Sequence, residues 1–392
     1  MKQSYLKQTK DPNVAIRMFL IAIYIVLSFF EYYTLMSFGS ITRYYIFLVI
    51  AMILLTSDRL HIRFYHYTVI GWLLYKFLSL IWTPSYVIFS MHALSEVGFV
   101  LLLVCITSLD EGEPLLKVFE KTTFVCSAIL GVLSLLFNNS FEGFSERKVL
   151  TLFGRQLDPN NIAAFLLFGL ALAIHYFLYE KKHRLLYTII IAINCYTTML
   201  TGSRAGLVTI FLIFFVSFVS VFDKQTFREN YRRVLLLVAI IIIAGILMMS
   251  ILPEEVFVRL FEFDDYEGGS SRDVIWAHGL QVLSNPIHLI MGAGWGGYKA
   301  DGPTSLHNTF LSILCDSGIL GILLLFSPLF YMLTQMLKKR KFLPFTMFVS
   351  SMAPAFFIES INKRFFWNAI IYVMIAYNCF VKEQLPEKGK QL

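Results

Sequence analysis

Four residues of this sequence have types and placements suited to one reaction. His307 opens the apolar run HNTFLSILCDSGILG, and Arg155, Arg204 and Arg272 each stand at or shortly before a helix-forming segment. An imidazole titrates near pH ~6.5, so it can accept a proton at neutral pH. Arginines nearby would further favour its neutral form. Guanidinium groups grip phosphate or carboxylate oxygens with two parallel hydrogen bonds. A base candidate beside several fixed cations at a membrane surface suits chemistry on an anionic lipid. Three of the four also have a plainer reading. His307 can be a hydrogen-bonded helix start, Arg204 an interfacial side chain reaching for headgroups, and Arg155 an ordinary exposed cation.

Arg204 is the most informative of the arginines. It begins a helix in TGSRAGLV, where a cation opposes the helix dipole at a cost of about 0.3–1 kcal/mol. An anion bound there would satisfy the guanidinium and the free backbone N–H groups together. Arg272 holds the same kind of position in SRDVIW. Asn308, Lys299, Trp295 and Tyr298 lie close by in sequence and are candidates for substrate contact. Trp276 joins the two aromatic residues as a candidate wall of a sugar site, with loop packing as the alternative.

The elements that must position these groups are membrane helices. The chain has 392 residues, 57% hydrophobic and 15% charged, against about 25% charged in soluble domains. Twelve apolar runs approach the ~20 residues that cross a bilayer: 15–36, 42–57, 64–82, 87–108, 117–137, 160–179, 185–201, 203–222, 234–252, 307–336, 342–359 and 365–381. The fold class expected is all-α, a polytopic bundle of about 12 transmembrane helices forming a single membrane domain over 1–392. The first run lacks a small-residue cleavage site and reads as a retained helix. The 307–336 run is long enough to tilt or to start above the membrane.

Charge decides the orientation. With both termini in the cytoplasm, inner segments hold 22 Lys and Arg, outer segments hold 10, and Lys76 falls inside a helix. That is the positive-inside pattern, and it accounts for the net charge of +7 without nucleic acid. Two long segments, 138–159 and 253–306, then lie outside. The second reads as a substrate-covering lid, because long ordered loops are uncommon without a task, with a structured cap over the bundle as the alternative. Gly268-Gly269 is its expected hinge, Ser270 or Ser271 the cap of a helix ending near Leu283, and Asn285-Pro286 the stop. The same topology starts helices outside at DPNN, SRAG, HN and KRFFWN. Asp158 is the expected cap of the first of these, with Pro159 in its first turn.

The remaining chemistry is sparse. The five cysteines sit in apolar runs without CxxC spacing, and no HExxH or DxD-type metal motif occurs. No metal or cofactor is expected; the acidic run Glu262, Asp264, Asp265 and Glu267 could hold a divalent cation but reads first as a solvated loop. Lys76, Glu96 and Asp316 are costly in lipid and should face the bundle interior, where they keep a transporter alternative open.

TGSRAGLV, then SRDVIWAHGLQVLSNPIHLIMGAGWGGYK, then HNTFLSILCDSGILGILL, in that order around a long outer loop, resemble the O-antigen ligase and polysaccharide polymerase superfamily over about residues 150–335. The resemblance implies a GT-C-type glycosyltransferase in a bacterial plasma (inner) membrane, working on its outer face. It implies donors and acceptors linked to undecaprenyl diphosphate, with a flippase and a chain-length regulator as partners. It maps the family's histidine to His307 and its diphosphate-handling arginines to Arg204 and Arg272, with Arg155 a further carry-over. Polymerases extend the next lipid-linked unit, whereas ligases move the glycan to lipid A core or another acceptor. Usage rich in Ile, Phe, Lys and Asn points to a low-GC bacterium without lipopolysaccharide, which favours the polymerase; the ligase and a non-enzymatic flippase remain the alternatives.

Overall fold

A computed structural model describes residues 11–36, 39–84, 87–180, 182–222, 272–300, 302 and 305–381, and most of 231–261. Gly268-Gly269, the two candidate cap serines and the acidic run lie outside the described residues. The bundle is built from α1 (Pro12–Phe30), α2 (Ile41–Thr56), α3 (Phe64–Leu78), α4 (Val87–Thr107), α5 (Gly112–Leu136), α6 (Pro159–Tyr179), α7 (Arg184–Leu200) and α8 (Arg204–Val221). It continues with α9 (Glu254–Phe261), α10 (Arg272–Leu283), α11 (Pro286–Met291), α12 (Thr309–Lys338), α13 (Leu343–Ala355) and α14 (Arg364–Val381). Among the described residues, five helical stretches are long and apolar enough to cross a membrane: 12–34, α5, α6, α8 and α12. Three more, α2, 93–107 and α7, are apolar but shorter.

Contacts between helix ends mark two poles of the bundle. Asn160 at the start of α6 accepts from Ser203 at the start of α8 at 2.9 Å. Thr309 at the start of α12 donates to the Ile358 carbonyl at 2.7 Å, in the turn that leads into α14. These four helix starts share one pole. At the other, Arg17 of α1 pairs with Glu111 before α5, and Lys339 after α12 donates to the Phe380 carbonyl near the end of α14.

The centre of the bundle is formed by α6 and α14; α14 is buried continuously from Arg364 to Ala376, and α6 is 83% buried over its apolar window against 44% for α8. In a bilayer lipid tails are as apolar as leucine, so close helix approach depends on small residues and interhelical hydrogen bonds. Gly169 of α6 illustrates this: a Cβ there would lie 2.0 Å from Ser127 Oγ of α5. Asn194 of α7 donates to the same hydroxyl at 3.1 Å.

Three features depart from the sequence expectation. The 138–159 segment is a small antiparallel sheet of β3 (Asn138–Phe141), β4 (Phe144–Leu152) and β5 (Arg155–Gln156), after a short pair β1 (Leu35–Met36) and β2 (Gly39–Ser40). Val149 and Leu150 bury one stretch of β4, and positive φ at Phe153 and Gly154 makes the two-residue reversal that right-twisted strands favour. The long apolar run at 307–336 carries a break that its sequence pattern did not announce. Gly318 takes φ +63° inside α12, which exposes the Cys315 carbonyl to the Ala293 N–H at 2.7 Å. Asn285-Pro286 stops α10 as expected but also starts α11, because Asn285 caps it through the Ile287 N–H at 2.9 Å.

Candidate active site

The TGSR turn is held from three sides. Ser203 caps α8 by accepting from the Gly206 N–H at 3.1 Å, and Asp158 caps α6 through the Asn160 and Asn161 N–H groups. Gly202 has φ +60°, and a Cβ there would meet Arg259 Cδ at 2.8 Å. Two guanidiniums fix the carbonyls of this turn. Arg147 of β4 donates to Thr201 O at 3.1 Å and to Asn160 Oδ1 at 3.0 Å. Arg259 of α9 donates to Gly202 O at 3.0 Å and to Glu146 Oε1 at 2.7 Å.

Arg204 emerges exposed from this frame. Its Nε donates to the Arg259 carbonyl at 2.9 Å, in the last turn of α9. That position is the negative end of a short helix dipole, which offsets the cost of placing a cation at the α8 start. Arg272, first residue of α10, is half-buried with its guanidinium 5.9 Å from the Phe357 ring.

These arginines feel one another. Burial lowers the Arg272 pKa below the ordinary arginine value; Arg259 lowers it further, Asp158 opposes that, and Arg204 adds to it. Burial, then Arg259, brings Arg147 down to about 10, with Asp158 and Glu146 pulling upward and Arg272 downward. Arg147 therefore remains charged at neutral pH. Four guanidiniums thus share one pole with two carboxylates, Asp158 and Glu146. Among these groups the surplus is positive, and an anion would relieve the mutual repulsion.

His307 stands exposed with φ +48°, a left-handed conformation uncommon for a non-glycine residue. Its neighbours impose it. Trp276 Nε1 donates to Leu306 O at 2.9 Å. Asn308 caps α12 by accepting from the Leu311 N–H at 3.0 Å. Thr309 Oγ accepts from the Ser360 N–H at 2.7 Å. Trp276 lies four residues, about one helical turn, after Arg272. One helix, α10, thus carries an arginine of the cluster and the pin beside His307. Strain of this kind persists where the surroundings over-determine it, often at functional sites.

The other nominated residues have internal places. Asn308 spends its side-chain oxygen on the cap. Trp295 and Tyr298 are each 2% exposed, so they pack beneath the outer pole rather than line an open surface. Lys76 Nζ sits 4.4 Å from the Trp295 ring centre, 2.5 Å from Glu96 and 3.5 Å from Asp316. Asp316 in turn accepts from the Gly296 N–H at 2.9 Å. Lys299 pairs with Glu359 at 3.0 Å, which also accepts from the Tyr298 hydroxyl at 3.2 Å. The intramembrane charges expected to face inward do so, and they anchor the GAGWGGYK segment to α3, α4 and α12. Arg155 lies half-buried on β5, paired across the turn with Leu152.

Arg147 and Arg259 are the site residues that sequence reasoning overlooked. Both fall in polar loops, and only the pairing of β4 and α9 against the TGSR turn gives them a role. The alternation of buried Arg147 and Val149 in SERKVL was the available signal.

Residues 186–326, from α7 through the first half of α12, match the family model described as O-antigen ligase. The match is consistent with the O-antigen ligase and polysaccharide polymerase superfamily, and the matched span contains Arg204, Arg259, Arg272 and His307. A comparison with curated proteins gives no match. Members of that family are glycosyltransferase-like enzymes that act on lipid-linked glycans in a membrane, and the long apolar helices of this chain agree with a multi-pass membrane protein.

Proposed function

We propose that this protein is a polymerase of lipid-linked oligosaccharide repeat units. A sugar hydroxyl of one lipid-linked unit attacks the anomeric carbon of another. The new C–O bond forms as the bond to the diphosphate oxygen breaks, and the configuration inverts. His307 takes the hydroxyl proton, an effect typically worth about 10²–10⁴ in rate. Arg204 and Arg272 stabilise the charge that gathers on the departing polyprenyl diphosphate, Arg147 and Arg259 hold the turn that aims them, and no metal is required. The observation that carries this reading is the gathering of Arg147, Arg259, Arg204 and Arg272 around the TGSR turn at the pole where strained His307 starts α12.

In this reading the chain crosses the membrane twelve times and the site faces outward. The opposite pole gathers Arg17, Arg63, Lys117 and Lys339, which the positive-inside rule puts in the cytoplasm. Purified protein in nanodiscs, given undecaprenyl-diphosphate-linked repeat units, should yield doubled and longer glycans with free undecaprenyl diphosphate. Unchanged glycan would favour a transporter. Transfer only after lipid A core is added would assign a ligase.

A further inference from the structure

Beside the arginine cluster, at the same pole, a cleft of about 350 Å³ opens between α1, α2, α4, α6 and the start of α14. That volume falls at the lower end of small-molecule sites, ~300–1,000 Å³. Its apolar side is a chain of touching rings. Phe29 and Phe165 lie 4.7 Å apart between centres, and Phe165 meets Phe365 edge-on at 5.8 Å. Its polar side contains three buried atoms with no hydrogen-bond partner among the described residues: Asn161 Oδ1, Asn362 Oδ1 and Arg364 Nε. Asn161 and Arg364 are each only 6% exposed.

Buried polar atoms in native structures nearly always have partners, and each exception calls for an explanation. A ligand that completed this set would have to donate to two amide oxygens and accept from one guanidinium N–H. A fully ionised phosphate or diphosphate cannot, because it offers acceptors alone. A sugar can, since each hydroxyl both donates and accepts, and its ring carbons would face the phenylalanines. Charge leaves room for such a ligand: Arg364 is already paired with Glu31, and Asp158 opposes Arg43 and Lys363 on the same wall, which leaves a surplus of one positive charge.

The cleft borders both halves of the proposed chemistry. Asp158 lines it and also acts electrostatically on Arg272. The turn carrying Asn362 and Arg364 is tied to the α12 start by the Ser360 N–H and the Ile358 carbonyl, both bonded to Thr309 Oγ. We propose that this cleft is the subsite for the acceptor sugar. The assignment rests on the glycosyl-transfer reading and deepens it: donor diphosphate on the arginines, acceptor ring in the cleft, His307 near both.

The test is Asn161→Leu and Asn362→Leu, measured in nanodiscs. Each exchange removes an unpaired buried oxygen and substitutes an apolar group of similar size. A merely structural role for the asparagines therefore predicts lower thermal stability. The acceptor subsite predicts an unchanged or higher unfolding midpoint, a KM for the acceptor lipid raised about tenfold, the equivalent of one neutral hydrogen bond, and an unaltered KM for the donor. Acceptor KM at the wild-type value in both variants overturns the proposal. A second arm does not need turnover. The repeat-unit oligosaccharide, freed from its lipid by mild acid, is followed by saturation-transfer NMR on wild-type and variant protein. A saturation signal present with wild type and abolished by both substitutions supports the cleft. A signal missing from wild type, or equal in all three proteins, refutes it. Wild-type protein that fails to elongate glycan, yet binds the oligosaccharide through these asparagines, would instead count against the polymerase reading.

Discussion

Arg147→Lys tests whether the frame behind Arg204 matters. Arg147 is 9% exposed and bonds two acceptors at once, Thr201 O at 3.1 Å and Asn160 Oδ1 at 3.0 Å. A lysine keeps the charge but lacks the planar fork that spans both. One of the two bonds should be lost. A hydrogen bond from a charged group contributes about 1.5–3 kcal/mol. Taking ~2 kcal/mol, the ratio of ordered to displaced TGSR turn falls about 30-fold. If only the ordered turn presents Arg204 to the donor diphosphate, the apparent KM for donor lipid rises by up to that factor. The acceptor KM should move little. The assay is initial-rate transfer in nanodiscs, with donor and acceptor varied separately. Wild-type donor KM and kcat in Arg147→Lys would refute the reasoning. A fall in kcat alone would point to an effect on the transition state rather than on donor capture.

Four further outcomes are expected. His307→Ala should abolish glycan elongation while the protein still inserts and elutes as wild type; normal polymer in cells carrying it removes the base assignment. Arg204→Lys should cause a severe loss of transfer because the forked contact disappears, and wild-type chain length in Arg204→Ala cells would dismiss a diphosphate role. Lys76→Met leaves Glu96 and Asp316 buried without their cation, so stability should drop by about 3–5 kcal/mol; an unchanged unfolding midpoint would show that this network does not anchor the loop. Transfer by purified protein should survive chelators, and strict dependence on added Mg²⁺ would contradict the arginine-only account.

The amino-acid order alone determined the periodic apolar segments, the clustering of Lys and Arg in alternate turns, and several helix boundaries. Asp158, Ser203 and Asn308 announce helix starts because a short polar side chain can satisfy the backbone N–H groups just beyond it. The α10 end near Leu283 was equally legible, since Asn285-Pro286 is local chemistry. The resemblance over 150–335 rested on such local strings, and the matched domain covers most of it. Non-local pairing was not legible. Whether Arg147 is a solvated loop residue or a clamp depends on β4 meeting the TGSR turn 54 residues later. Whether Trp295 lines a sugar site or roofs a lysine depends on α3 arriving beneath it. The break at Gly318 is likewise set by the close approach of the Ile290 carbonyl, 2.2 Å from where a Cβ would sit. Local spacing fixes which backbone groups can be satisfied nearby; burial and charge partners are settled only when distant segments exclude water from one another, and that is a property of the packed chain.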